Sequence, residues 1–422
     1  MGAKIKEKEL VLMSITVNET IGKSDSESIM LAVKKAKEEG VNSVLIPKLN
    51  ERTGENKWVI EETIYLPSDI EIIIDNAFLV LADGVYANMF ANEKVKEEGE
   101  RTLSDEQKNI TIRGVGGACL SGGNYNGLSE STSLKNGLPH ISKNTVILMV
   151  NVRNLTVENI RIEKQRWWGM TNVCVRDSVF RNINFCADLS RIDENGVHYE
   201  NELPRNYGET YIKNADGLDL RVGCNNILIE NITGFTEDDS VALTALGGFE
   251  TRLGYLVTGK DTDIHDVKIR NVATDSYICS NVRLLNENGN KIYNIDIDGV
   301  TDMRRRNEYK SQYNVRIGDS ADAYATTRHS VMGEIYNISI KNVYGNGTYA
   351  VSMCKTLKDS YIGNVITGEE CRVGFGFCHT HLKKSEIENV TFGNILCTNK
   401  KATALFLEND REKELLFETK EV

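Results

Sequence analysis

The sequence predicts an all-β protein, a right-handed parallel β-helix with a short N-terminal capping helix. One phrase recurs along the chain, in which Asn precedes alternating Ile, Val or Leu, as in Asn226-Ile-Leu-Ile-Glu-Asn-Ile. Equivalent apolar residues recur at a nearly constant interval: 155 to 179 (24 residues), 267 to 292 (25) and 362 to 387 (25). The chain has 34 Gly but 4 Pro among 422 residues, which fits short strands joined by tight turns. A fixed period in the twenties is typical of one β-helix coil per repeat.

The N-terminal part contains one clear amphipathic helix. Ser24 followed three residues later by Glu27 is a capping box, and Gly40 is a typical helix stop. The pattern therefore predicts a helix over 24–39. A single helix before a run of strands is suited to cover the open end of a solenoid core. The apolar residues on one face of this helix are Ile29, Val33 and Ala36.

Short apolar runs after the helix predict the first strands of the stack. The Asn-containing phrase then begins near residue 108, and its Asn residues suit turns because Asn tolerates left-handed backbone and can hydrogen-bond from coil to coil. We therefore expect one domain over residues 1–420, with the cap and first strands at 1–105 and repeated coils at 106–410. The runs that predict the first strands are 44–46, 58–60, 70–74 and 78–81.

Two other repeat architectures fit the sequence less well. A leucine-rich repeat needs a Leu-x-x-Leu-x-Leu frame with a helix in each repeat, and this frame is absent from the sequence. A propeller needs repeats of about forty residues or more, which is longer than the period observed here.

The composition excludes some classes of partner. A net charge of −11 with a pI near 5.3 disfavours general nucleic-acid binding, which needs a basic face. The first 13 residues are charged and lack the apolar core of a signal peptide, and no apolar run approaches the roughly 18 residues of a membrane span. We therefore expect a cytoplasmic protein with no membrane partner, or an extracellular one if a leader has been removed.

Cysteine usage predicts free thiols rather than a disulfide framework. The nine cysteines are an odd number, and most lie within or beside apolar strand-like runs. The ligand types of zinc occur at Cys371, Cys378, His379 and His381, but their spacing fits no standard site. The sequence therefore predicts neither a metal nor another cofactor.

Two acidic motifs lie about one coil apart. Asp216 follows Asn214 in Asn-Ala-Asp-Gly, and Glu237-Asp238-Asp239 comes 22 residues later (216 to 238). Because adjacent parallel strands lie about 4.8 Å apart, these acids are expected to stack on one outer face. Crowded carboxylates repel, which raises the pKa of at least one of them, and glycoside hydrolysis needs a protonated acid beside an ionised base. The alternatives from the residues alone are a calcium site or a solvated acidic turn.

These motifs and their order resemble glycoside hydrolase family 28, the polygalacturonase-like enzymes. Trp167-Trp168 followed by Cys174 is similar to the Ser-Pro-x-Trp segment and the Cys strand of that family, and Asn281-Val-Arg283-Leu lies where the family has Arg-Ile-Lys. The similarity runs from about residue 20 to 400 and is strongest between 144 and 300. It implies a right-handed β-helix that cleaves O-glycosidic bonds of a pectin-like or other uronic-acid-containing oligosaccharide or polysaccharide, with inversion.

The resemblance also implies roles for the individual residues. Asp238 would be the general acid, while Asp216 and Asp239 would hold and deprotonate the attacking water. The guanidinium fork of Arg283 suits a substrate carboxylate, although a structural ion pair is the alternative. Further positions expected to bind substrate are Asn214, Trp168 and Glu237.

The chain departs from the family pattern at three places that surround the acids. The Gly before the Asp pair is Glu237, and the Lys expected after Arg283 is Leu285. The Gly-His-Gly segment is missing, and Tyr255 or Lys260 is the nearest candidate to replace its histidine. These changes spare the acids and alter the groups that bind the sugar.

Two other functions remain open at this stage. A lyase or epimerase acting on uronate polymers would use the acids to bind calcium and would need a Lys, Arg or His base. A non-catalytic carbohydrate-binding β-helix would not need acids in register over two coils. Insertions at about 188–212 and 304–330 are expected to wall the binding groove, and the sequence does not define an oligomeric state.

Overall fold

The computed structural model describes residues 14–96, 101–128, 139–192, 197–200, 202, 213–277, 279–303, 311–319, 324–378 and 384–409. Its α-helices are α1 (Asp25–Glu39) and α2 (Gly248–Arg252), with 3₁₀ turns at Val17–Glu19, Glu93–Lys96, Leu103–Asp105 and Ile141–Asn144. The strands are β1 (Ile15–Thr16), β2 (Ser43–Pro47), β3 (Trp58–Ile60), β4 (Ile64–Leu66), β5 (Ile70–Asp75), β6 (Phe78–Leu81), β7 (Phe90–Asn92), β8 (Gln107–Val115), β9 (Cys119–Ser121), β10 (Ile147–Val150), β11 (Val152–Glu163), β12 (Met170–Val173), β13 (Arg176–Cys186), β14 (Arg191–Ile192), β15 (His198–Tyr199), β16 (Leu218–Arg221), β17 (Asn225–Thr236), β18 (Val241–Ala245), β19 (Ile264–Ser276), β20 (Ser280–Asn286), β21 (Ile292–Asp302), β22 (Tyr313–Ile317), β23 (Ile335–Gly345), β24 (Tyr349–Met353), β25 (Thr356–Thr367), β26 (Val373–Phe377), β27 (Glu386–Phe392), β28 (Ile395–Cys397) and β29 (Thr403–Phe406).

Two long parallel sheets run along the molecule and confirm the predicted fold class. The first sheet has 16 strands, with the main order β1-β2-β5-β8-β11-β13-β17-β19-β21-β23-β25-β27. The second sheet has 11 strands, in the order β4-β7-β10-β12-β16-β18-β20-β22-β24-β26-β29. Each coil contributes a long strand to the first sheet and a short strand to the second, as expected of a parallel β-helix.

Helix α1 covers the N-terminal end of the stack, as predicted. Ser24 caps it by accepting a hydrogen bond from the Glu27 N–H (3.1 Å), and Gly40 ends it with φ 69°. The capping box is incomplete, because the Glu27 carboxylate accepts from the N–H of Lys23 instead of that of Ser24. The buried residues of the helix that join the main core are Ile29, Ala32, Val33 and Ala36.

Asparagine ladders hold the coils in register, which also agrees with the sequence pattern. The Asn residues lie at bends in the long strands and have positive φ, near 55° at Asn182 and Asn231. Each side chain donates to the equivalent residue one coil earlier, so the amides form continuous rows. Examples are Asn154 to Asn109 (2.7 Å), Asn182 to Asn159 (2.8 Å), Asn231 to Asn182 (2.9 Å) and Asn337 to Asn294 (2.5 Å).

The alternation of side chains in the second sheet places polar residues on its outer face. In β16, Leu218 and Leu220 join the main core, while Asp219 and Arg221 take the alternate positions. The register continues this outer row across the sheet, because Asp219 pairs with Ala242, which pairs with Arg283. Among the residues described, the helices are all too short or too polar to cross a membrane.

Candidate active site

The acidic motifs lie at the turns that lead into the second sheet, on adjacent coils. The Gly217 N–H donates to the carbonyl of Asp239 (2.9 Å), and the Gly169 N–H donates to that of Asp216 (2.9 Å). Trp168, Asp216 and Asp239 therefore occupy successive coils. The structure thus brings the acids together as the spacing predicted, outside the core but almost fully covered.

Gly217 allows this close stacking of the turns. A Cβ atom at this position would lie 2.4 Å from the carbonyl oxygen of Ser240 and 2.9 Å from the ring of Phe185. A larger residue after Asp216 would therefore push the two acidic turns apart.

The carboxyl group of Asp238 has the surroundings of a proton donor. Its backbone carbonyl is held by the hydroxyls of Thr236 (2.7 Å) and Ser276 (2.8 Å), which fixes the turn. Burial, reinforced by the negative charge of Asp239, raises the pKa of Asp238 from 3.8 to about 7. The side chain is 6% exposed, so its neutral form is favoured at mildly acidic pH.

Asp239 has the opposite surroundings. Its Oδ1 accepts from the Ser280 N–H (3.1 Å) and from the Ser280 hydroxyl, and its Oδ2 accepts from Nη1 of Arg283 (3.1 Å). A carboxylate with three donors is an acceptor held in one orientation. Asp238 and Asp239 therefore differ in their surroundings although they are neighbours in sequence.

A fourth acid, Asp219, lies against Asp216. The two carboxyl groups are in hydrogen-bond contact, and the pKa of each is raised well above its usual range, chiefly by burial. For Asp216 the charges of Asp219, Asp238 and Asp239 add to this effect. Two carboxyls so close do not both ionise at neutral pH, so the pair keeps at least one proton.

Arg283 borders the acids but is already paired with two carboxylates. Its Nη1 binds Asp239, and its Nη2 forms an ion pair with Asp319. Arg316, its register partner on the next coil, binds Asp319 through Nη2 (3.1 Å). These contacts are those of a structural ion pair, which was the alternative to substrate binding for Arg283. The ring of Tyr324 packs beneath its guanidinium, 5.8 Å away.

Glu237 lies behind the acids and not beside a substrate, which corrects the sequence expectation. It is fully buried, and its Oε2 accepts from the N–H of Ala215 (3.1 Å) on the preceding coil. Burial raises its pKa to about 7, against the opposing charge of Lys213. Its contacts are those of a positioning residue for the turn that carries Asp216.

Trp168 reaches the acids indirectly, through Arg221. Its ring stacks on Trp167 (3.8 Å between centroids), and the guanidinium of Arg221 lies over it at 4.7 Å. Arg221 is bound to the buried Glu250 (2.6 Å). Asn214 lies at the turn before Asp216 with φ 56° and is half-buried, so it remains a candidate for contact with substrate.

Tyr255 and Lys260 have contacts outside the acid cluster. Tyr255 packs in an apolar cluster with Leu148, Val173 and Val222, and its hydroxyl contacts Ser142. Lys260 donates to Glu106 (3.0 Å) and Asn151 (2.6 Å). The structure therefore assigns both residues to packing between loops and coils, which corrects the expectation that one of them replaces the family histidine.

One group of possible metal ligands occurs among the described residues, at Asp238, Asp239 and Cys279. One ligand atom from each lies within 4.8 Å of the others. However, the Cys279 sulfur accepts from Arg283 (3.2 Å) and Arg316 (3.5 Å), so cations of the protein already occupy its surroundings. A thiol between two guanidiniums is also a poor ligand for calcium, which prefers oxygen.

None of the nine cysteines forms a disulfide, and seven of them are buried, including Cys371 and Cys378. The two histidines of the zinc-like pattern, His379 and His381, lie outside the described residues. The same holds for parts of both predicted insertions. From the second insertion, Asp319 and Tyr324 are described, and both border the site.

Sequence reasoning missed Asp219, Arg316 and Asp319. Two of them carried a signal. Asp219 alternates with Leu218 and Leu220, which predicts an outward side chain, and Asn314-Val-Arg316-Ile repeats Asn281-Val-Arg283-Leu one coil later. Asp319 had none, because it follows the strand in a loop whose path no period defines.

Comparisons with known proteins support the fold. No family model matches the chain, and no curated protein matches its sequence. Endo-xylogalacturonan hydrolase from Aspergillus tubingensis is 13% identical over 93% of this chain and 98% of that chain, with a TM-score of 0.56. PfbA, a surface adhesin of Streptococcus pneumoniae, is 12% identical over 93% of both chains, with a TM-score of 0.52.

A third similar structure is the tailspike protein of E. coli bacteriophage HK620, solved in complex with a pentasaccharide. It is 10% identical and matches 94% of this chain and 66% of that chain, with a TM-score of 0.51. The three structures comprise a hydrolase, an adhesin and a tailspike, and likeness at these identities shows the fold alone. Membership of glycoside hydrolase family 28 stays a prediction.

Proposed function

We propose that this protein is an inverting glycoside hydrolase that cleaves O-glycosidic bonds of a pectin-like oligosaccharide or polysaccharide. The observation that carries the proposal is the contrast within one buried cluster. Asp238 has a pKa raised to about 7, while the adjacent Asp239 is fixed by three donors. Glycoside hydrolysis requires a protonated acid close to an ionised carboxylate, and one turn here holds both kinds of surroundings.

In this proposal Asp238 protonates the glycosidic oxygen. The proton moves from its carboxyl group to the leaving oxygen as the bond to the anomeric carbon breaks. The raised pKa suits this role, because a general acid works best when its pKa lies near the working pH.

The Asp216–Asp219 pair is the proposed general base. Inversion needs an acid and a base roughly 6.5–9.5 Å apart to leave room for water, whereas an oxygen of Asp239 lies within 4.8 Å of one of Asp238. In its singly ionised form, the pair accepts a proton from water as the water oxygen attacks the anomeric carbon. Asp239 then holds the water or the sugar.

The cations around the site weigh against the lyase and epimerase alternatives. β-Elimination needs a basic Lys, Arg or His beside the uronate. Arg221, Arg283 and Arg316 are each bound to carboxylates of the chain. The pectin-like substrate is supported by the sequence resemblance and not by the similar structures, which include binders of carbohydrate.

A product screen tests this proposal. The purified protein would be incubated with pectic and neutral polysaccharides and oligosaccharides, and new reducing ends would be measured together with absorbance from unsaturated products. We expect reducing ends without unsaturation, and loss of the activity in Asp238→Asn. Asp296→Asn, an aspartate in a partly exposed ion pair with Arg270 on the other sheet, is the matched control and should keep full activity.

Two outcomes would contradict the proposal. Unsaturated products that disappear on chelation would indicate a lyase. Binding of an oligosaccharide with no turnover, equal in wild type and Asp238→Asn, would indicate a carbohydrate-binding protein.

A further inference from the structure

The buried cations that the structure describes around the candidate site are all paired with carboxylates of the chain. None of them is more than 8% exposed. A cation that binds a substrate carboxylate must offer donors that are not already bound to another anion. The pairs are Arg221 with Glu250 (2.6 Å), Lys213 with Asp188 (3.1 Å), Arg283 with Asp239 (3.1 Å) and Asp319, and Arg316 with Asp319 (3.1 Å).

Four buried acids at the same place lack such a partner. Among the residues that the structure describes, Asp216, Asp219, Glu237 and Asp238 form no ion pair. Of the nearby anions, Asp239, Asp319, Glu250 and Asp188 are balanced by the cations. Within the described part of the chain, this region therefore has an excess of acidic groups and no surplus cation.

From this charge distribution we infer that the sugar unit bound on these acids is uncharged, a neutral hexose or deoxyhexose and not a hexuronate. The inference rests on the proposed function, since it concerns the substrate of the same site. It departs from the sequence expectation that Arg283 binds a uronate carboxylate.

The geometry of Asp319 is central to this inference. One of its oxygens binds Arg283, and the other binds Nη2 of Arg316. The carboxylate thus bridges two guanidiniums on adjacent coils, as the carboxylate of a uronate would. A uronate at this position would have to displace Asp319 and leave a buried aspartate without its cations, which is costly.

The acids themselves are suited to a neutral sugar. Oδ1 of Asp216 and Oδ1 of Asp238 are buried and accept no hydrogen bond from a described donor group. Hydroxyl groups donate to carboxylates and add no charge. A hexose supplies several such donors, whereas a uronate would bring a further negative charge to a place of low dielectric.

The test uses pairs of ligands that differ in one carboxylate. Polygalacturonate would be compared with the same polymer after reduction of its carboxylates to alcohols, and galacturonate and glucuronate with galactose and glucose. Hydrolysis would be followed by reducing ends and binding by calorimetry. We expect wild-type protein to prefer the neutral member of a pair by about tenfold or more. Preference for a uronate member would overturn the inference without any variant.

Substitution of Asp319 gives the second arm of the test. Asp319→Asn removes the carboxylate that bridges Arg283 and Arg316, so binding of galacturonate or glucuronate should rise by about tenfold or more relative to the neutral sugar. The matched control Asp296→Asn should show no such gain. If a folded Asp319→Asn protein gains no affinity for either uronate, Asp319 does not occupy a carboxylate position and the inference is wrong.

The two arms separate this inference from the proposed function. A wild-type protein that hydrolyses no member of any pair would contradict the hydrolase proposal. Even then, the affinity of Asp319→Asn for uronates would show whether the carboxylate of Asp319 occupies the donors of Arg283 and Arg316 in the wild-type protein.

Discussion

The outer faces of the two sheets both stack ionisable side chains at one-coil spacing, but with opposite arrangements of charge. On the first sheet, Arg113, Glu158, Arg181 and Glu230 follow one another in register, so basic and acidic groups alternate. Nε of Arg113 lies 2.7 Å from Glu158, and Nε of Arg181 lies 2.6 Å from it. At the edge of the second sheet, acids stack on acids.

The difference separates charged groups that stabilise the stack of coils from acidic groups that destabilise it. Alternating charges on a partly exposed face contribute modestly to the free energy of folding. Buried like charges are unfavourable, which is visible in the raised pKa values of Asp216, Asp219 and Asp238. The fold does not need these acids, so their arrangement supports a chemical role.

The largest expected effect is the loss of hydrolysis rate in the variant Asp238→Asn. Loss of a general acid should reduce kcat about 10²–10⁴-fold on an unactivated substrate. The melting temperature at pH 7.5 should be equal to or above that of wild type, because the variant no longer buries an ionisable group. Both quantities would be measured on the same preparation.

Glu158→Gln on the first sheet is the converse control. It breaks contacts with Arg113 and Arg181, so it should lower stability while leaving kcat within about twofold of wild type. If Asp238→Asn loses stability and keeps its rate of hydrolysis, Asp238 behaves like the stabilising charges of the first sheet. This result would contradict the distinction between the two faces.

The next effect is on stability, through Arg283→Gln. This change leaves Asp239 and Asp319 buried without their shared cation, which should cost about 3–5 kcal/mol. Arg270→Gln removes the partner of Asp296 on the first sheet, at a partly exposed position, and should cost about 1 kcal/mol or less. Urea unfolding of both variants measures the difference, and equal losses would show that the two faces are equivalent.

The pH dependence of stability gives a smaller effect with a defined sign. Burial and the charge of Asp239 raise the pKa of Asp238 from 3.8 to about 7. Because the folded protein binds this proton more tightly than the unfolded chain does, protonation stabilises the fold. The stabilisation is complete below the pKa that Asp238 has in the unfolded chain, and it is lost as the pH rises through the pKa that Asp238 has in the folded protein. We therefore expect the melting temperature of wild type to fall more than that of Asp238→Asn between about pH 4 and pH 7.

The control for this titration is Asp296→Asn. Arg270 helps to lower the pKa of Asp296 despite its burial, so the contribution of that group is complete above the unfolded pKa and constant from about pH 5 upwards. Its difference from wild type should be flat between about pH 5 and pH 7. A flat difference for Asp238→Asn would refute the assignment of a buried proton to Asp238.

The smallest expected effect concerns the asparagine ladder. Asn182 has φ 54°, donates to Asn159 and accepts from Asn231. Asn182→Ala loses these bonds and strains the backbone, so it should cost about 1–2 kcal/mol. Asn182→Gly loses the same bonds without the left-handed strain. Thermal unfolding should rank Gly above Ala, and neither variant should alter activity.

The periodic part of the molecule could be predicted from the sequence. The Asn phrases gave the long strands and ladders, because their spacing repeats the coil, and Ser24 and Gly40 defined helix α1. The one-coil spacing of the acidic motifs predicted the meeting of Asp216 with Asp238 and Asp239. These features share a physical cause, namely that residues at equal positions in successive coils must lie side by side.

The unpredicted part depends on partners without a period. The sequence suggested that Arg283 was open to substrate, but its neighbour Asp319 comes from a loop. Lys260 was a candidate for substrate contact, but it reaches Glu106, which is 154 residues earlier in the chain. Such pairings are decided by tertiary packing, and a single sequence offers no local signal for them.

The central claim is that Asp238 supplies a proton, whereas Asp216 and Asp239 serve the attacking water. The most direct test compares the three Asp→Asn variants on the aryl glycoside of the sugar that the screen identifies, with a good and a poor leaving group. A good leaving group needs little protonation, so Asp238→Asn should be largely rescued while Asp216→Asn and Asp239→Asn are not, and NMR should show the inverted anomer first. Equal rescue of all three variants, or retention of configuration, would contradict the claim.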